Sequence, residues 1–142
     1  MKASLLLFSV FWAGLAALDQ FLGYDTAYDA GYAAIALDAI VIAVTFGWLW
    51  HIRATPMALG MAFSWLGCAG LVGYWWLFNQ LGRAPAIGLE KQALWPFLGL
   101  YLAGAVAHLR VIAGACGGGR WLILGASCGV LVLALGMALM LR

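Results

Sequence analysis

From Gly31 to Ile52 the chain reads GYAAIALDAIVIAVTFGWLWHI, an apolar run long enough to cross a bilayer, with the carboxylate of Asp38 well inside it. A helix of about 20 residues, rising about 1.5 Å per residue, spans a hydrocarbon core of about 30 Å. Backbone amides in that core are satisfied only within a helix or a closed barrel, so such a run has few ways to fold. The same pattern recurs along the chain, and spans are expected over 3–22, 30–52, 56–79, 93–115 and 120–141. Residues are 67% hydrophobic and 8% charged, against about 45–50% apolar in soluble domains, so no aqueous fold hides this much apolar surface. The expected architecture is an all-α integral membrane protein, a compact five-helix transmembrane bundle forming one domain over 1–142, with the N-terminus in and the C-terminus out.

The punctuation between runs is short. The first run ends near Asp19, and Gly23 to Asp29 is expected to be an acidic, tyrosine-rich connection. Pro56 opens the third run, at a helix start where a missing N–H costs nothing. Asn79 to Gln92, with Gly82, Arg83, Pro85, Gly88, Glu90 and Lys91, is the one sizeable loop, expected to lie along the interface as an amphipathic piece. Cys116 to Arg120, with its three glycines, reads as a turn. Residues 1–17 have the form of a secretory signal and are expected to be kept as a first span.

With the N-terminus inside, Lys2, Arg53, Arg110 and Arg120 fall on the cytoplasmic side, and Arg83, Lys91 and Arg142 outside, a weak positive-inside bias that points to a bacterial inner membrane. Trp48, Trp50 and Trp121 then mark one edge, and Trp75, Trp76 and Trp95 the other. The net charge of +2, on scattered basic residues, excludes a nucleic-acid partner. Cys68, Cys116 and Cys128 form no CxxC pair and read as small packing residues.

Asp38 demands explanation first, because an ionised carboxylate in hydrocarbon costs about 2.5–3.5 kcal/mol even on insertion scales. Helical spacing places Gly31, Ala34, Asp38, Ile42 and Thr45 on one stripe, expected to face the bundle, and Tyr101, Gly104, His108 and Ala115 on another. Counted from the cytoplasmic ends, Asp38 matches Tyr101 in depth and Thr45 matches His108. If the second and fourth spans are neighbours, these residues pair. The site expected from this register is a cavity lined by Trp12, Asp38, Thr45, Ser64, Trp65, Tyr101 and His108, binding or exchanging a small cationic or aromatic solute against protons.

Two other classes compete with that reading. Short loops and many small residues, including Gly125 and Gly129 as a strict GxxxG pair, suit a non-catalytic structural or assembly subunit of a larger membrane complex. His51 and His108 are the only histidines and offer the ligands of a b-type haem or pigment, although His51 lies at the membrane edge and His108 deeper. No other cofactor is expected. HExxH, GxSxG and P-loop patterns are missing, so the chain reads as a membrane protein with a solute or a membrane-protein partner and not as an enzyme.

Overall fold

The computed structural model describes residues 2–81, 91–115, 117 and 120–140. It is all-helical over them: α1 (Lys2–Leu22), α2 (Tyr24–Arg53), α3 (Pro56–Gln80), a 3-10 turn (Lys91–Leu94), α4 (Trp95–Ala115) and α5 (Arg120–Met140). Four helices, α1 to α4, are long and apolar enough to cross a membrane. The expected interfacial piece between Asn79 and Gln92 lies mostly outside the described residues, as does most of the glycine turn after Ala115.

One expected boundary is overturned. Residues 24–29 are not a connection, because α2 begins at Tyr24 and Gly23 alone makes the turn at φ 86°, a conformation glycine adopts without steric cost. The six residues after it suit a helix start. Asp25 lies in the first turn, where a carboxylate meets the positive end of the helix dipole. Tyr24, Tyr28 and Tyr32 follow one another at i,i+4, with ring centroids 5.9 and 4.4 Å apart. At the other end of α2 the left-handed Ala54, at φ 48°, donates its N–H to the Trp50 carbonyl at 2.6 Å, and Pro56 starts α3.

Among the described residues the helices pack only on their neighbours in the chain: α1 on α2, α2 on α3, α3 on α4 and α4 on α5. Close packing is concentrated in α2, α3 and α4, with α3 in the middle. It is built from small residues. Ala36, Ala39 and Ala43 of α2 are buried, as are Ala58, Gly60, Ala62, Gly67 and Ala69 of α3 and Gly104 and Ala113 of α4, and among the described residues no large side chain is fully buried. Where lipid tails are as apolar as leucine, small residues let backbones approach and gain van der Waals contact, while large ones turn outward.

The seam between α3 and α4 is the tightest. A Cβ added at Gly67 meets the Tyr101 amide nitrogen at 2.5 Å and the Phe97 carbonyl at 2.6 Å; one added at Gly104 meets the Gly60 carbonyl at 2.6 Å and the backbone of Ser64. The two backbones are nearly in contact. By contrast, Gly125 and Gly129 of α5 face nothing within 4 Å.

Candidate functional site

Beside that seam, halfway along both helices, lies a pocket of about 350 Å³ lined by Met61, Ser64, Trp65, Cys68, Tyr101, Ala105 and His108. Four of the seven residues expected to line one cavity therefore converge: Ser64, Trp65, Tyr101 and His108. The glycines are the reason. Because Gly60 and Gly104 carry no side chain, α4 sits close enough for the His108 ring to lie on Gly60, where an added Cβ would meet its Cδ2 at 3.0 Å. On α3, Met61, Trp65 and Cys68 recur at helical spacing beside the seam and form the opposite wall.

His108 is the polar centre of the pocket. Its Nε2 is buried and has no hydrogen-bond partner among the described residues. A buried ring nitrogen without a partner costs about 1–3 kcal/mol, so such an atom calls for an explanation. Ser64 does not supply the partner, since its Oγ donates to the Tyr101 carbonyl at a long 3.5 Å. Trp65 and Tyr101 add aromatic surface, and no carboxylate lines the pocket.

The other three expected residues lie elsewhere. The condition for that pairing, that the second and fourth spans be neighbours, is not met: α3 lies between α2 and α4, which make no contact among the described residues. Thr45 cannot serve His108; its hydroxyl donates to the Val41 carbonyl of its own helix at 2.7 Å. Asp38 does not point inward. It is exposed on the stripe of Gly31, the residue that Leu15 of α1 approaches, and has no side-chain partner among the described residues. Trp12 lines a separate cleft between α1 and α2, with Leu15, Asp19, Gly31 and Tyr32.

His51 is exposed at the end of α2, 6.2 Å from the Trp48 ring, so the fold does not set it opposite His108 as a second haem ligand. Among the described residues no three His, Cys, Asp or Glu side chains gather as metal ligands. Met61 and Cys68 were not expected at the site. The signal that finds them is their i,i+4 and i,i+3 spacing to Trp65, read once α3 is known to face α4.

Comparison of the chain with models of known families, with curated proteins and with solved structures finds no match. What the protein does has to be argued from this geometry.

Proposed function

We propose that this chain is a small polytopic protein of the bacterial inner membrane, a five-span bundle with its N-terminus in the cytoplasm, that binds a small aromatic solute in the pocket between α3 and α4. The observation that carries the reading is the buried, unpartnered Nε2 of His108 in a pocket walled by Trp65 and Tyr101. A solute with a ring and one polar atom stacks on the aromatic faces and satisfies that nitrogen. Imidazole can carry a proton as well as bind a ligand, and uptake driven by a proton gradient is the fuller form of the same proposal. The cationic half of the expectation is not placed here, for want of a carboxylate in the pocket.

The test uses Trp65 as reporter. Titration of the purified protein with indole, phenol and benzoate is expected to give saturable fluorescence quenching that is lost in His108→Gln and Trp65→Phe. A flat response from a folded protein overturns the proposal.

Asp38 favours a second reading. An exposed carboxylate in the middle of a span, without a side-chain partner among the described residues, is accounted for if another membrane protein covers it, as in an assembly subunit. Co-purification of a defined partner in mild detergent, lost in Asp38→Leu, is the expected result; a partner-free chain that behaves identically with and without Asp38 removes this reading.

A further inference from the structure

A second cavity, larger than the first and far from it along α3, opens between the first turns of α2 and the last turn of α3. It measures about 930 Å³ and is lined by Tyr24, Asp25, Tyr28, Asp29 and Tyr32 on one side and by Trp75, Phe78 and Asn79 on the other. Its walls are two aromatic ribs. On α2 the tyrosine ladder places three phenol rings in sequence; on α3 Trp75 and Phe78 meet edge to face at 6.0 Å, with Tyr74 stacked on Phe78 at 6.1 Å. The two acids stand between the ribs, one helical turn apart. Asp29 accepts a hydrogen bond from Nε2 of Gln80 at 2.9 Å, which ties the rim of α2 to the end of α3, while Asp25 has no side-chain partner among the described residues. Neither carboxylate forms an ion pair with a described residue.

We propose that this cavity binds an organic ammonium cation. Two carboxylates with no cation against them among the described residues set the sign of the ligand. The aromatic lining sets its kind: ring faces carry negative quadrupole density and attract alkylammonium groups, which are weakly hydrated and present methyl or methylene surface to the rings. A hard metal ion is a poorer fit, since calcium takes six to eight oxygen ligands and among the described residues no three His, Cys, Asp or Glu side chains gather to hold one. The volume lies within the range of about 300–1,000 Å³ usual for small-molecule sites. An aromatic belt at a membrane edge also gathers Tyr and Trp, and Tyr24 and Trp75 are 70% and 49% exposed; what a belt does not account for is that five rings and two acids line one cavity. The same ammonium chemistry is carried by a free solute and by a choline or ethanolamine lipid headgroup.

The full-length protein, purified in a nonionic maltoside, is titrated calorimetrically with choline and tetraethylammonium, and with 3,3-dimethylbutan-1-ol as the uncharged isostere of choline. Saturable binding of the cations is expected, with the neutral isostere at least tenfold weaker. Asp25→Asn and Trp75→Leu each weaken choline about tenfold, whereas Trp75→Phe, which keeps a ring, retains most of the affinity. His108→Gln leaves choline binding unchanged, so this site and the pocket between α3 and α4 stand or fall separately. In nanodiscs, choline binding that is present in phosphatidylglycerol and suppressed in phosphatidylcholine assigns the site to a headgroup; equal binding in both assigns it to a free solute. Absence of saturable binding in maltoside and in phosphatidylglycerol nanodiscs overturns the proposal, as does equal binding of the neutral isostere or indifference to Asp25→Asn and Trp75→Leu together.

Discussion

Two helix faces in this protein carry glycine at close-packing spacing, and they are used in opposite ways. On α3 and α4, a methyl group added at Gly67 or Gly104 would run into the facing backbone, and one added at Gly60 would press on Ala107 and His108. On α5, Gly125 and Gly129 form the stricter motif, yet a Cβ on either meets nothing within 4 Å. A GxxxG pair is permission for close approach, and permission is used only where a neighbouring helix comes to take it. On α4 the Gly104 stripe is what brings His108 down onto Gly60 and opens a pocket beside the seam.

That difference breaks or sharpens under a graded set of substitutions. The largest effect is expected from Gly104→Leu, whose side chain has no room against Gly60 and Ser64: α3 and α4 separate and folded protein is lost, read as recovery of monodisperse protein in mild detergent. Gly67→Ala is next, with overpacking against Phe97 and Tyr101 costing about 1–3 kcal/mol in a denaturant titration. Gly60→Ala is milder, because its closest approaches, to the Ala107 Cβ and the His108 Cδ2, are 3.0 Å against 2.5 Å at Gly67; the His108 ring has to shift, so its signature is weaker quenching by aromatic solutes more than lower stability. Smallest of all, Gly125→Ala and Gly129→Ala are expected to be neutral or to stabilise by up to about 1 kcal/mol through better helix propensity. Should Gly125→Ala prove as damaging as Gly67→Ala, α5 has a close neighbour in the membrane and the contrast disappears.

Hydropathy located the helices almost to the residue: the runs expected at 56–79 and 93–115 are Pro56–Gln80 and Trp95–Ala115. It failed at 24–29, where tyrosines and aspartates look like a loop by polarity but recur every fourth residue, the spacing that makes them one helix face. The stripe of Tyr101, Gly104 and His108 was legible as a single face because helical period alone defines it. Which helix would meet that face was not. Depth matching put Asp38 and Thr45 opposite it, since two helices running the same way agree in depth whether or not a third stands between them; here α3 does. Lateral order belongs to the packing of small residues, and the small residues of α3 are spread around both of its flanks.

Among the described residues each helix packs on its neighbours in the chain and on no other helix. Such a chain has no early segment waiting for a distant late one, so contacts form in the order of synthesis with little loop to close. Every described residue that lines the ammonium cavity has been made once the last turn of α3 has left the ribosome, whereas the pocket at His108 lacks half its lining until α4 follows. A nascent chain halted after Gln80 therefore already holds the described walls of the ammonium cavity and only one wall of the pocket at His108.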